Sequence, residues 1–212
     1  IDFVKSVEWL RNEGVVFSFD PPSPKSLSEV KKEKTYCIDR VQPLQNQILL
    51  DYLNTRQLNI EVCKRYLVEV YYRVNEKKYF GVGFKNDKDQ YEIRNRYAKL
   101  ALGQKWFTWI DNGHKSVIVL ESWSDLISLL ILYPKCENSK DFLVLNSLSM
   151  LSKADEVLAD YSEILLALDN DLAGSNAAEK CLIKWKSSKD IRYLYSGSKD
   201  LNEFLVSKHK HK

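Results

Sequence analysis

Acidic side chains recur at short spacings in the C-terminal half of the chain, and they are the residues best suited to chemistry. Asp169 and Asp171 flank a single asparagine, Glu121 and Asp125 lie four positions apart, and Asp200 follows further on. Carboxylate oxygens with no histidine or cysteine nearby favour Mg²⁺ or Mn²⁺ over zinc. Magnesium completes its shell with water and phosphate oxygens, so the pattern predicts phosphoryl transfer or phosphodiester cleavage.

The elements that must position these residues alternate between strand and helix. Apolar runs predict buried strands at Val117–Leu120, Phe142–Leu145, Ile164–Leu168 and Ile191–Leu194, with helices at Ser124–Leu132, Lys153–Tyr161, Ala173–Trp185 and Asp200–Val206. This alternation predicts an α/β fold with a mostly parallel sheet and helices on both faces. Functional residues collect at the carboxyl ends of parallel strands, so the acidic residues would share one edge.

Each acidic residue also has an ordinary structural interpretation. A carboxylate just after a strand is usually a helix cap or a loop residue, and Asp125 and Asp200 both stand where helices are predicted to start. An Asp-x-Asp pair alone is common. The combination of acidic residues at several strand ends is more specific than any one of them.

Composition and charge narrow the class of protein. The 212 residues, 44% hydrophobic and 29% charged, can build a real core in one large or two small domains. The four cysteines are far apart and two of the three histidines lie in the last four residues, which argues against zinc within this chain. With no apolar run of spanning length and no secretory leader, we expect a cytoplasmic protein with no membrane partner.

Charge is distributed unevenly along the chain. Residues 61–115 carry 12 Lys/Arg and 7 Asp/Glu, whereas residues 116–207 carry 9 and 14. A basic part followed by an acidic part suits a polyanion held by one and a metal held by the other. Two oppositely charged surfaces that pack together or are simply solvated would give the same pattern.

The chain divides into four predicted segments. Residues 1–42 are expected to form an N-terminal helix and a proline-rich linker that end an upstream module, and residues 43–113 a small basic α+β subdomain. In the subdomain, Val62–Arg73 is predicted to be a helix that gives way to a strand, and three further strands are predicted at Tyr79–Phe84, Gln90–Asn95 and Trp106–Ile110. Residues 114–207 form the predicted α/β domain, and residues 208–212 a basic tail.

Three blocks of the α/β segment resemble the Toprim domain, the metal-binding module of bacterial-type primases, topoisomerases and some nucleases. They are Val117–Asp125, Leu168–Gly174 and Lys199–Glu203, and the resemblance covers roughly residues 114–207. The family usually has glycine directly after the first glutamate, whereas this chain has Ser122. The resemblance implies a Rossmann-like fold and a magnesium-dependent reaction on nucleic acid.

The resemblance implies a site whose members lie near strand ends: Glu121, Asp169, Asp171 and Asp200 as ligands of Mg²⁺ (or Mn²⁺), with Asp125, Gly174 and Asn202 in support. Glu121, Asp169 and Asp171 would be catalytic, with Glu121 as general base or acid near the reacting oxygen. Gly174 opens a predicted helix, where free N–H groups can approach a phosphate.

Upstream stretches resemble the catalytic core of bacterial-type primases from phages and mobile elements. These are Leu49–Arg56, Gly81–Asp87 and Tyr91–Asn95, and Ile1–Val4 looks like the tail of their zinc-binding module. The resemblance implies an enzyme, a nucleotidyltransferase that makes short primers on a single-stranded DNA template from nucleoside triphosphates, with a replicative helicase as a possible partner. Template or triphosphate would contact a set of basic side chains: Lys85, Arg94, Arg96, Lys99, Lys105 and Lys199.

Two other functions remain open from the sequence. One is a Toprim-type nuclease that uses the same metal, and the other is a non-catalytic nucleic-acid-binding replication or mobilisation factor. Ser122 is the only support for loss of catalysis, whereas the retained carboxylates favour an enzyme.

Overall fold

The computed structural model describes residues 36–210. The predicted N-terminal helix, most of the predicted linker and the last two residues of the basic tail lie outside the described residues. Between Tyr36 and Lys210, no helix is both long enough and apolar enough to cross a membrane.

The first sheet is an antiparallel meander in which neighbouring strands follow chain order. Its strands are β1 (Tyr36–Pro43), β2 (Val68–Val74), β3 (Lys77–Lys85), β4 (Tyr91–Arg94) and β5 (Lys99–Leu102), and α1 (Gln47–Thr55) and α2 (Ile60–Tyr66) connect β1 to β2. Each helix begins at an asparagine cap: Asn46 Oδ1 accepts from Ile48 N at 3.0 Å, and Asn59 Oδ1 accepts from Val62 N at 3.1 Å. The small α+β subdomain expected from the sequence is therefore present.

Two strands of this sheet were not predicted. The sequence predicts a linker up to residue 42, but Tyr36–Pro43 forms the edge strand β1, whose side chains are mostly exposed. Lys99–Leu102 forms β5 with only four residues. Most side chains of β1 are exposed, and β5 is too short for its apolar residues Leu100 and Leu102 to show a clear alternation.

The second sheet is mostly parallel. Its strands are β6 (Thr108–Ile110), β7 (Ser116–Leu120), β8 (Asp141–Val144), β9 (Glu163–Ala167) and β10 (Ser188–Asp190), in the order β10-β9-β7-β8-β6. Only β6 runs antiparallel to its neighbour. The helices are α3 (Trp123–Leu132), α4 (Asp155–Ala159), α5 (Leu172–Lys184) and α6 (Leu201–Lys210), with 3₁₀ turns at Pro134–Asn138, Leu148–Lys153 and Arg192–Tyr195.

The predicted fourth strand, Ile191–Leu194, is wrong. The strand lies just before it, at Ser188–Asp190, and Arg192–Tyr195 is a 3₁₀ turn. Asp190 Oδ1 accepts from Arg192 N at 3.0 Å, which turns the chain away from the sheet. The apolar run instead packs inward, and Tyr195 donates to Leu168 O at 2.6 Å.

Alternation along β7 explains why helices cover both faces of this sheet. Ile118 and Leu120 point into a core shared with α1, α3 and α6, whereas Val117 and Val119 point into a core shared with α4 and α5. The first of these cores also contains residues of the first sheet, such as Phe84. One apolar core therefore joins the two sheets and holds them in a defined position relative to each other. The expected fold class, an α/β domain preceded by a small α+β subdomain, is confirmed.

Candidate active site between the two sheets

A cleft of about 590 Å³ lies where the two sheets meet. Both parts of the chain line it, with mostly polar and charged side chains: Arg56, Glu92, Arg94, Lys99, Leu100, Ala101, Lys105, Glu121, Ser122, Ser124, Asp125, Asn146, Ser147, Leu148, Asp169, Lys199 and Asp200. The basic residues come mainly from the first sheet and its helices, and the acidic residues mainly from the second sheet. We call these two sides the basic wall and the acidic wall.

The acidic wall is built from the carboxyl ends of neighbouring parallel strands. Glu121 directly follows β7, and Asp169 follows β9, which pairs with β7. Asp169 N donates to Glu121 Oε1 at 2.9 Å, so the two strand ends are joined by a hydrogen bond. Asp125 in the first turn of α3 and Asp200 at the start of α6 line the same cleft.

Burial shifts the protonation of these carboxyls. Burial raises the pKa of Glu121 to about 7, and the nearby charges of Asp169 and Asp171 act in the same direction. Burial likewise raises the pKa of Asp125, with the charge of Asp200 adding to the effect. An acid near neutrality is suited to proton transfer, and a site with excess negative charge is suited to a cation.

Ser122 anchors Asp125 and is not strained. Its φ of −146° is extended backbone, so the position does not need the glycine that the family usually has. Ser122 Oγ donates to Asp125 Oδ2 at 2.6 Å and lies 2.8 Å from Ser124 Oγ. Arg94 of the basic wall donates to Ser124 Oγ at 3.0 Å, so hydroxyl groups connect the two walls.

Lys199 supplies the positive charge nearest the acidic wall. Its Nζ lies 3.6 Å from Asp169 Oδ2 and 3.8 Å from Asp171 Oδ2, and Asp169 is the main cause of its raised pKa. The sequence had placed Lys199 among nucleic-acid contacts, whereas here it pairs with carboxylates. Within residues 36–210 no three acidic, histidine or cysteine side chains are grouped closely enough to hold a metal ion.

The chemistry of the acidic wall nevertheless fits magnesium. All of its charged ligands are oxygens, and the buried Asp125 Oδ1 has no hydrogen-bond partner among the described residues. Because magnesium keeps several waters and takes phosphate oxygens, it needs fewer protein ligands than zinc. Asp169 and Asp200 would hold such an ion together with the phosphates of a substrate.

Three predicted site residues make hydrogen bonds that stabilise the fold. Asp171 caps α5, its Oδ1 accepting from Gly174 N at 2.9 Å. Asn202 is buried and donates to Arg56 O and Ser128 Oγ, both at 3.0 Å. Asp200 lines the cleft but also caps α6, accepting from Glu203 N at 2.7 Å. Their parts in metal binding remain predictions.

The basic wall contains Arg94, Lys99 and Lys105, as expected from the sequence. Two other predicted contacts lie elsewhere. Lys85 is exposed at the end of β3 and pairs with Asp89 at 2.7 Å, and Arg96 lines a side cavity of about 310 Å³ that adjoins the cleft. The side cavity and the cleft share Arg94 and Lys99 as well as Arg56.

Sequence reasoning missed Arg56, Glu92 and Ser124 as members of the site. Arg56 follows α1, and its Nε is buried without a partner among the described residues. The only local signal for Glu92 was its alternation with Arg94 on the same strand, which places both side chains on one face. No local pattern could show that this face meets the second sheet.

Replacing Gly174 with alanine is expected to disrupt the acidic wall. A Cβ at this position would lie 2.2 Å from the backbone oxygen of Asp169 and 3.0 Å from Glu121 Oε1, so the backbone at Asp169 and the Glu121 carboxylate must move. We expect about 1–3 kcal/mol lower stability and a loss of any Asp169-dependent activity. Urea denaturation and an activity assay would check this. Gly113→Ala is the control, since its Cβ meets nothing within 4 Å although its φ of +80° adds some strain.

Two known families match separate parts of the chain. Residues 118–205 match a family described as Toprim-like. Residues 38–103 match a family described as a domain of unknown function (DUF8464). No curated protein sequence matches the chain at a significant level.

Solved structures share the fold. The primase fragment of the bacteriophage T7 primase-helicase protein superimposes with a TM-score of 0.55 at 17% identity, over 85% of this chain and 81% of that fragment. A second match is a chain from the structure of the bacteriophage T7 lagging-strand DNA polymerase interacting with primase domains of two gp4 subunits bound to an RNA/DNA hybrid and dTTP. It superimposes with a TM-score of 0.55 at 18% identity, over 84% of this chain and 90% of that chain. At these identities the likeness shows a common fold.

Proposed function

We propose that the chain is the catalytic core of a primase, because residues 118–205 match a family described as Toprim-like. It would make short primers on single-stranded DNA by magnesium-dependent nucleotidyl transfer. The observation that carries this proposal is the cleft, in which an acidic wall faces a basic wall. The resemblance to phage and mobile-element primases, and the fold shared with the T7 primase fragment, support the choice among reactions.

The two walls suit the two charges of a nucleotide–metal complex. Arg56, Arg94 and Lys105 offer positive charge to phosphates or to the template backbone. The acidic wall offers oxygens to a divalent cation, which would neutralise the repulsion among its carboxylates. A triphosphate with its magnesium ion is complementary to both walls at once.

Each residue of the acidic wall has a proposed role. Asp169, Asp171 and Asp200 would hold magnesium, and the ion when bound would supply positive charge to the transferring phosphate. Glu121 would accept the proton of the attacking 3′-hydroxyl, because its pKa of about 7 leaves a large unprotonated fraction at neutral pH. Lys199 would move from the carboxylates to the phosphates when the ion arrives.

The template would follow the side cavity. Arg96 and Tyr97 line it beside Arg94, and Tyr97 is 88% exposed, so its ring is free to stack on an unpaired base. Basic and aromatic side chains together are the usual means of holding single-stranded nucleic acid. A cytoplasmic location and a replicative helicase partner belong to the same proposal.

The test is incubation of the chain with single-stranded DNA, ribonucleoside triphosphates and Mg²⁺ or Mn²⁺. New oligonucleotides that require template and metal would support a primase. Shortened DNA without new oligonucleotides would instead identify a nuclease, and binding with neither product would identify a non-catalytic factor. Omission of the metal is the control for each product.

A further inference from the structure

Glu92 is a buried carboxylate in the lining of the cleft, and it has no role in the reaction proposed above. Glu92 lies on β4 between Tyr91 and Ile93, and the Ile93 side chain points into the core of the first sheet. Alternation along the strand turns Glu92 to the same face as Arg94, toward the cleft. Only 6% of Glu92 is exposed.

Among residues 36–210, no group donates a hydrogen bond to the covered oxygen of Glu92, Oε1. Burial raises the pKa of Glu92, and the charges of Lys105, Lys99 and Arg94 oppose this shift. These cations act on Glu92 only at longer range, because none of the ion pairs between described residues includes Glu92.

A second buried glutamate of the same sheet shows what a structural role looks like. Glu69 on β2 is fully buried and accepts from Gln42 Nε2 and Gln45 N, each at 2.7 Å, from Tyr71 OH at 3.1 Å, and from Asn46 N. Leaving a buried acceptor without a donor is costly. Glu92 carries that cost at the wall of the cleft, where a ligand can supply the donor.

We propose that Glu92 accepts a hydrogen bond from a ribose hydroxyl of the nucleotide bound in the cleft and thereby selects the sugar. This inference rests on the proposed function. A carboxylate repels phosphate, so it must face a part of the nucleotide that donates hydrogen bonds. Donors on the bases differ among nucleotides and are needed for pairing with a template, whereas the ribose hydroxyls are common to all ribonucleotides.

Binding measurements without synthesis test the inference. With Mg²⁺ present, the affinities of the unmodified chain for ATP, 2′-deoxyATP, 3′-deoxyATP and 2′,3′-dideoxyATP are compared by titration calorimetry. We expect ATP to bind about tenfold or more tightly than the dideoxy compound, the range for a hydrogen bond to a charged group. The two single-deoxy compounds identify which hydroxyl makes the contact.

Glu92→Ala should bind ATP and dideoxyATP equally, and Glu92→Gln should keep part of the preference because its amide oxygen still accepts. Both variants should fold, since they remove an unsatisfied charge; thermal denaturation checks this. Lys105→Ala is the matched variant from the same wall, and it should weaken all four nucleotides by the same factor. That result would separate loss of charge from loss of sugar selection.

An unchanged preference for ATP in Glu92→Ala would overturn the inference, as would the absence of a preference in the unmodified chain. Failure of the proposed function looks different. A chain that selects the sugar through Glu92 but makes no primer would contradict primase activity alone. A chain that makes primers and keeps its preference in Glu92→Ala would contradict the role of Glu92 alone.

Discussion

Replacing Asp169 with asparagine is expected to lower primer synthesis about 10³-fold, because a ligand of a catalytic metal contributes several kcal/mol to the transition state. Asparagine keeps the shape of the side chain and the backbone hydrogen bond from residue 169 to Glu121 Oε1. What it removes is the negative charge that would share a magnesium ion with Asp200. The loss should therefore fall on catalysis.

Stability should not fall with activity in this variant. Burial and the charge of Asp200 raise the pKa of Asp169, so the ionised form is unfavourable in the folded protein. Removing that charge should leave the thermal midpoint equal or higher. Lys199 loses one partner but keeps Asp171 at 3.8 Å.

Primer yield measured over a magnesium titration, together with thermal denaturation, checks this prediction. Glu156→Gln is the control, since Glu156 is an exposed carboxylate on α4 outside the cleft lining. Full activity at every magnesium concentration in Asp169→Asn would remove Asp169 from the metal site. A collapse of the thermal midpoint would mean that its role is structural.

Replacing Arg94 with alanine is expected to weaken binding of single-stranded DNA or nucleotide by about 10- to 100-fold, the range for charge-assisted hydrogen bonds. Arg94 is positioned by two contacts with the second sheet's domain. It donates to Ser124 Oγ at 3.0 Å, and its guanidinium lies 5.1 Å from the centre of the Trp123 ring. These contacts hold one part of the guanidinium and leave its remaining donors for a phosphate.

Affinity measured over a range of salt concentrations separates charge from packing. If Arg94 contacts a phosphate, the slope of log affinity against log salt should fall by about 1 in Arg94→Ala. Arg94→Lys should restore the slope but only part of the affinity, because lysine cannot keep both contacts and a planar donor pair. Arg73→Ala is the matched control, since Arg73 pairs with Asp39 at 2.9 Å on the first sheet and does not line the cleft. An unchanged slope in Arg94→Ala would exclude Arg94 from phosphate binding.

Local sequence determined the α/β architecture of the second domain. Runs such as Val117–Leu120 are apolar at every position, as expected for a strand covered on both faces, and the structure places β7 at the centre of the sheet. Because the carboxyl ends of parallel strands meet at one edge, the convergence of Glu121 and Asp169 also followed from the sequence. The resemblance to the Toprim domain rests on those same residues, which lie in the part of the chain that matches a Toprim-like family.

Only the tertiary structure decided which side chains face one another. Asn202 was grouped with the metal site by its neighbours in sequence, yet it donates to Arg56 O, a residue 146 positions away. Arg56, Glu92 and Ser124 enter the cleft because the two sheets pack on one shared core, and such long-range packing leaves no mark on local residue patterns. The sequence by itself determined which strand ends carry carboxylates. The packing of the first sheet against them determined the basic wall that they face, and it placed Glu92 in that wall with no hydrogen-bond donor to its Oε1 among the described residues.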